Sequence, residues 1–338
     1  MLNKKIKVVI TDCNHPSIEI ERKMLSEINA ELILSNCNTE EDIIKVAKDA
    51  DGIINQRVPI TRRVITLLNK CKVIVRYGVG VDNIDVKAAT ECGIIVSNVP
   101  DYCVDEVSTH AIALILNCAR GISLLDRKIR EEEWGFTLAK PLFRTQGKTL
   151  GIYGLGRIGS AVAKKSMGFG LKIIAYDPYV SKVNNRIKMV DFPQLLSESD
   201  FISINASLTD ETWHAFKENE LKAMKKTAYL INTARGSIVD ERVLYKALRE
   251  GWIAGAAVDV MEKEPPDWDN PLLKLDNVVF TPHSAFYSEE SYIELKTKVA
   301  EAVISVLSGR LPKSIMNPEV IKKIIEKGYF YNRNDFII

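Results

Sequence analysis

Three glycines constrain the fold of this chain most: Gly154, Gly156 and Gly159 stand between an apolar run at 149–153 and a helical pattern over 157–169. A G-x-G-x-x-G motif in that setting joins a strand to a helix. Gly154 permits the tight turn, Gly156 lets the backbone approach a pyrophosphate, and Gly159 lets helix and strand pack closely. The free N–H groups where the helix starts, around Arg157 and Ile158, then favour a phosphate together with the helix dipole. The next apolar run, 172–176, ends at Asp177, which is 177 − 159 = 18 residues past the last glycine. A carboxylate near that offset accepts ribose hydroxyls and repels a 2′-phosphate, so the sequence predicts NAD rather than NADP as cofactor.

Strand and helix patterns alternate through the rest of the chain. Apolar runs at 6–10, 32–34, 52–55, 73–75 and 94–97 read as strands, with helices at 17–28, 40–48, 61–69 and 85–91. Such runs, uninterrupted by polar residues and separated by helices, indicate a parallel sheet covered on both faces. A long helix is expected from about 104, with Ala111, Leu114, Ile115, Cys118, Ile122 and Leu125 at helical spacing. After a loop at 134–147 come strands at 149–153, 172–176, 201–204, 228–231, 254–258 and 278–280, then an amphipathic helix over 289–307. Two successive series predict two α/β domains, and 338 residues are enough for both.

Composition removes other classes. Lys and Arg number 46 against 44 Asp and Glu, so the net charge of +2 gives no electrostatic reason to expect nucleic acid. The longest stretch without a charged residue, 107–119, has 13 residues. A membrane helix needs roughly 20. No apolar signal-peptide core opens the sequence, and a soluble cytoplasmic protein is expected. Six cysteines (Cys13, Cys37, Cys71, Cys92, Cys103, Cys118) lack Cys-x-x-Cys spacing and a nearby His pair. They read as buried thiols, with no metal site.

Reducing a carbonyl with a hydride carrier requires a proton donor and a group that holds the substrate's anion. Of the four histidines, His15 falls in a loop, His110 in the long helix and His214 in a polar helical stretch. His283 stands just past the last strand, where open α/β sheets place their ligands. Arg235 follows the strand at 228–231, where its planar fork can clamp a carboxylate in two bonds. Glu264 follows the strand at 254–258; bonded to an imidazole, it would stabilise the protonated ring and fix its tautomer. Glu262 competes for that role. Loops after three consecutive strands thus direct Arg, Glu and His to one crevice.

Five ordered motifs resemble the D-isomer-specific 2-hydroxyacid dehydrogenases: Arg-Tyr-Gly-Val-Gly-Val-Asp-Asn-Ile-Asp (76–85), Gly-Leu-Gly-Arg-Ile-Gly (154–159), Asn-Thr-Ala-Arg-Gly (232–236), Asp-Val-x-x-x-Glu-Pro (259–265) and Thr-Pro-His (281–283). The resemblance spans about residues 7–317. The stretch from His283 and the Asp177-Pro-Tyr segment are closest to the C-terminal-binding-protein-like branch, which has Trp where Phe286 stands. The resemblance implies that Arg235 holds a 2-oxo acid, His283 protonates its carbonyl and Glu264 supports His283. The backbone N–H groups of Val79 and Gly80 would bind the substrate carboxylate, with Arg76 and Phe286 near the substrate. Ala206 and Asp259 would line the nicotinamide end, with Thr233 in the cofactor set. It also implies two doubly wound parallel-sheet domains. A Rossmann NAD domain (102–294) would be inserted into a smaller flavodoxin-like substrate domain (1–101 and 295–338), and the helix over 104–130 would build a homodimer.

The expected activity is reversible reduction of a small 2-oxo acid to a D-2-hydroxy acid. Two alternatives remain open. A 3-phosphoglycerate dehydrogenase would need extra cations, which Arg57, Arg62 and Arg63 could supply, although no appended regulatory domain is expected after 317. An NAD(H)-sensing, peptide-binding corepressor scaffold could keep the same three residues. Formate oxidation is disfavoured because that branch has Gln where Glu264 stands. Beyond 317 the sequence leaves the family pattern: Ile321, Ile324 and Ile325 suggest a short helix, and Tyr329, Phe330, Tyr331 and Phe336 are expected to dock on a subunit surface.

Overall fold

A computed structural model describes residues 5–181, 183 and 185–326. The chain divides into two compact units, one of residues up to Tyr102 together with those from Ser288 onward, the other Cys103–Tyr287.

The first unit begins as a strict alternation: β1 (Ile6–Ile10), α1 (Glu19–Ser26), β2 (Ala30–Leu34), α2 (Glu40–Ala47), β3 (Gly52–Asn55), α3 (Arg62–Thr66), β4 (Val73–Arg76), α4 (Val86–Cys92) and β5 (Ile95–Ser97). Its five strands are parallel in the order β2-β1-β3-β4-β5. Ile53, Ile54 and Val73 to Val75 have no exposed surface, because helices cover both faces of the sheet. Side-chain caps start α2 at Thr39 and α4 at Asp85; such caps are each worth about 1 kcal/mol.

The second unit opens with α5 (Val104–Arg120) and α6 (Ile122–Arg130). The single long helix expected here breaks at Gly121, where φ is +62°, and the two axes diverge by 62°. Among the described residues no single helix is long and apolar enough to cross a membrane. There follow β6 (Thr149–Tyr153), α7 (Arg157–Ser166), β7 (Lys172–Tyr176), β8 (Ile187–Met189), α8 (Phe192–Glu198), β9 (Phe201–Ile204), α9 (Glu218–Ala223), β10 (Tyr229–Asn232), α10 (Glu241–Arg249), β11 (Gly255–Val258) and β12 (Val278–Phe280). All seven strands are parallel, ordered β12-β11-β10-β9-β6-β7-β8. The direction of winding reverses between β6 and β9, which opens a crevice beyond their carboxyl ends.

The chain then returns to the first unit as α11 (Glu289–Leu307) and α12 (Val320–Glu326). The return falls at Tyr287/Ser288. The expected boundary at 294/295 would have cut α11, whose capping box starts at Ser288. Lys296 of α11 lies 3.7 Å from Glu21 of α1, both side chains almost wholly buried, and Tyr77 donates a 2.7 Å bond to Glu21. Farther on, Asn317 is fully buried against β5: its Oδ1 accepts from the Val96 amide at 2.9 Å, and its Nδ2 donates to the Ile94 carbonyl at 2.9 Å. Four of the six cysteines are buried, whereas Cys13 and Cys92 are half-buried. Burial pushes the Cys71 and Cys118 thiols up to about 12, so they stay protonated at neutral pH. The aromatic residues Tyr329, Phe330, Tyr331 and Phe336, expected to dock, lie outside the described residues.

Candidate active site

At the switch point, the loop after β6 meets the loop after β9. Gly154 has φ +89°, and a Cβ there would stand 2.6 Å from the Ala206 nitrogen. A Cβ on Gly159 would collide with the Gly154 carbonyl, whereas one on Gly156 would meet nothing within 4 Å. The three glycines therefore serve a turn, a helix contact and an open approach, as their spacing predicts. Arg157 and Ile158 form the first turn of α7 beyond Gly156. Asp177 follows β7; its Oδ2 accepts from the Leu155 amide at 2.8 Å and its Oδ1 from the Tyr179 amide at 2.9 Å. The carboxylate is thus fixed to the glycine loop, with lone pairs left for further donors.

Two buried polar atoms near these loops have no hydrogen-bond partner: Asn205 Oδ1 after β9 and Thr233 Oγ1 after β10. An unsatisfied buried group costs about 1–3 kcal/mol. A polar ligand lying along the ends of β9 and β10 would relieve both, so the residues fit a dinucleotide. Replacing Asp177 with Ala should weaken the preference for NADH over NADPH. An unchanged ratio of the two Kd values would show that another group reads the ribose.

Asp259, at the end of β11, is 2 % exposed. Its Oδ1 accepts from Thr281 Oγ1 at 2.5 Å and the Ser284 amide at 2.9 Å, and its Oδ2 accepts from the Ala285 amide at 3.0 Å. His110 of α5 joins this network, its Nε2 lying 3.0 Å from Thr281 Oγ1. The Asp259 carboxylate therefore braces the loop that carries His283.

That loop holds His283 at φ +52°, a region that non-glycine residues rarely enter. Its amide donates to the Asp259 carbonyl at 2.7 Å, which helps hold the conformation. The imidazole Nδ1 lies 2.5 Å from Glu264 Oε2, and Glu264 Oε1 accepts from the Met261 amide at 3.0 Å. Burial raises the Glu264 pKa, but the bond to His283, the Met261 amide and the charge of Arg235 outweigh it and hold the carboxyl below its ordinary value. Glu264 is therefore a carboxylate at neutral pH. Its rival Glu262 is taken: Glu262 Oε1 lies 3.0 Å from His214 Nε2.

Arg235 follows β10, and Asn232 fixes its main chain by donating from Nδ2 to the Arg235 carbonyl at 2.8 Å. Gly236 is the residue that brings the loops together. A Cβ there would overlap the Met261 carbonyl and the Glu262 nitrogen, so the Arg235 and Glu264 loops pack backbone against backbone. Sequence reasoning used this glycine as part of a motif and missed its contact. Phe286 places its ring centroid 6.4 Å from that of His283, edge on.

The other expected substrate residues belong to the first unit. Arg76 ends β4, and its guanidinium lies where a Cβ on Gly78 would stand; Gly78 has φ +139°. Val79 and Gly80 follow, and Asn98 Nδ2 donates to the Val79 carbonyl at 2.5 Å. The phosphorylated-substrate reading drew on Arg57, Arg62 and Arg63. Two of these are committed: Arg62 pairs with Glu91 at 2.5 Å, and Arg63 with Glu40 at 2.8 Å and Glu41 at 2.5 Å.

Residues 112–285 match the model of the D-isomer specific 2-hydroxyacid dehydrogenase, NAD binding domain. A glyoxylate reductase of Korarchaeum cryptofilum is 42% identical over 287 residues, 83% of this chain and 86% of that protein. A D-3-phosphoglycerate dehydrogenase of Methanocaldococcus jannaschii is 42% identical over 317 residues, 92% of this chain but 59% of that longer protein. Among solved structures, the D-lactate dehydrogenase of Aquifex aeolicus, complexed with NAD and lactic acid, matches with a TM-score of 0.81 and 28% identity, covering 94% of this chain and 98% of that one.

Proposed function

Since the chain belongs to the D-isomer-specific 2-hydroxyacid dehydrogenase family and carries its NAD-binding domain, we propose that it reversibly reduces a small 2-oxo acid to the D-2-hydroxy acid, with Arg235, Glu264 and His283 as its catalytic residues. The observation that carries this reading is the 2.5 Å contact between His283 Nδ1 and Glu264 Oε2, on a loop packed against Gly236. When bound, NADH supplies the hydride that reaches the carbonyl carbon. His283 gives its proton to the carbonyl oxygen and recovers one in the reverse direction. With Nδ1 occupied by Glu264, Nε2 is the atom left to exchange that proton. Glu264 stabilises the imidazolium before transfer and keeps the tautomer fixed afterwards. Arg235 holds the substrate's carboxylate or polarised carbonyl through its fork.

A small, unphosphorylated substrate is favoured because Arg62 and Arg63 are already paired with carboxylates. The finer resemblance to the C-terminal-binding-protein-like branch rests on residues alone. A homodimer through α5, α6 and the following loop is supported by apolar surface there: Trp134 is 91% exposed and Phe136 80%, with Ile122 and Ile129 also exposed.

NADH oxidation measured with glyoxylate, pyruvate, hydroxypyruvate, longer 2-oxo acids and 3-phosphohydroxypyruvate tests the reading. Turnover of one or more supports it, and turnover of none overturns it. In the same assay Arg235→Lys should raise the substrate KM by about tenfold, because an ammonium cannot reproduce a bidentate bond. A wild-type KM would remove Arg235 from substrate binding.

A further inference from the structure

The sequence places His214 in a polar helical stretch; the structure places it in a turn between β9 and α9, at φ +48°. The main chain there runs along the segment that follows Arg235. The His214 amide donates to the Ser237 carbonyl at 2.8 Å, the Phe216 amide to Ile238 at 3.1 Å, and the Asp240 amide to Phe216 at 3.0 Å. The side chain reaches the other loop. Its Nε2 lies 3.0 Å from Glu262 Oε1, two residues before Glu264, while Nδ1 is 3.7 Å from Asp240 Oδ2. Glu262 is also tied to the start of α10: its Oε1 accepts from the Glu241 amide at 2.9 Å, and its own amide donates to Glu241 Oε2 at 3.2 Å. The Trp213 ring stacks on the imidazole, with centroids 3.7 Å apart and planes 15° from parallel. The imidazole is 18% exposed.

One residue therefore grips both loops, the Arg235 side through its backbone and the Glu264 side through its ring. We propose that His214 is a positioning residue for hydride transfer, setting the distance between Arg235 and the Glu264–His283 pair by holding Glu262. This rests on the catalytic roles proposed above. Gly236 permits the close approach of the two backbones but cannot stop the 261–264 segment from swinging outward. The bond from His214 to Glu262 adds that restraint to the one the Glu241 bonds supply, because it pulls across that segment toward the strand-like pairing of 214–216 with 237–239. His214 itself need not touch substrate or cofactor. Its effect arises from geometry, and misplacing a reacting group by about 1 Å costs on the order of 10²-fold in rate.

The test compares His214→Gly, His214→Gln and Glu262→Ala, singly and with His214→Gly combined with Glu262→Ala. Glycine keeps the left-handed backbone accessible while removing the ring. Glutamine keeps a donor at about the reach of Nε2. Each variant is titrated with NADH, and kcat and KM are measured per NADH-binding site with the 2-oxo acid that the panel above identifies. His214→Gly should lower kcat about tenfold, a fraction of the full misplacement cost, with the NADH Kd unchanged. His214→Gln should recover most of the loss. The double variant should fall short of the sum of the two single losses, since the His214–Glu262 contact is lost in both, while Glu262→Ala also loses the Glu241 amide bond. Wild-type kcat in His214→Gly, or a loss of NADH binding that glutamine does not restore, overturns the proposal. His283→Ala, run in parallel, separates the two levels of inference. If it too keeps full turnover, the catalytic assignment fails; if it loses turnover while His214→Gly does not, only the positioning role fails.

Discussion

Replacing His283 with alanine lowers turnover by about 10²–10⁴-fold, the range that a positioned proton donor supplies, while NADH still binds. The expectation follows from how little else depends on the ring. The loop carrying His283 is held by the Asp259 carboxylate through Thr281, Ser284 and Ala285, and none of those bonds uses the imidazole. The glycine loop and Asp177, which would bind the cofactor, lie after β6 and β7, and Asp177 is held there by the Leu155 and Tyr179 amides. Because the residue sits at φ +52°, the His283→Asn variant is the better control for backbone conformation: asparagine tolerates that region and cannot replace imidazole as an acid. Both variants should bind NADH with near-wild-type Kd and fail in turnover. Loss of NADH binding in both would reassign His283 to the cofactor. Turnover within threefold of wild type would end its role as proton donor.

Gly236→Ala should be as damaging, although it adds one methyl group away from any titratable atom. The new Cβ would overlap the Met261 carbonyl and the Glu262 nitrogen, and backbone cannot rotate aside as a side chain can. Relief requires the two loops to separate by an ångström or so, which moves Glu264, and with it His283, relative to Arg235. At about 10²-fold per ångström, kcat/KM should fall by that order. Thermal stability should fall too, since overpacking typically costs about 1–3 kcal/mol. NADH affinity should change much less, because the glycine loop is on the other side of β9. A variant with wild-type kcat/KM would mean that the loop spacing is irrelevant to the chemistry.

The sequence carries strand positions well wherever a run is apolar on both faces. β3, β6, β7, β9 and β12 fall where short, mainly apolar runs place them. β8 escaped because an edge strand need not be apolar, and Lys188 sits at its centre. Motifs at strand ends gave Arg235, Glu264 and His283, since a parallel sheet delivers such loops to one end. Spacing alone left two glutamates open for His283, and only the family motif pointed to Glu264. Glu262 and Glu264 are two residues apart with the same chemistry, and the left-handed turn at His214 gives Glu262 an imidazole of its own. Spacing also does not show that the buried Asp259 carboxylate braces the 281–285 loop. Arg62 and Arg63 read as free cations until the acidic ends of α2 and α4 came beside them in space.

The division of the chain has a consequence for its synthesis. Cys103–Tyr287 is one unbroken stretch and holds all the contacts of its own sheet, so it can complete its fold while the ribosome is still adding α11. The first hundred residues must wait. Until Asn317 emerges, the backbone groups of Ile94 and Val96 that it satisfies stay open, and until Lys296 emerges Glu21 lacks its cation. A nascent chain stalled before that point exposes an unprotected strand edge, the form of a half-made protein most prone to pair with its neighbours on a polysome.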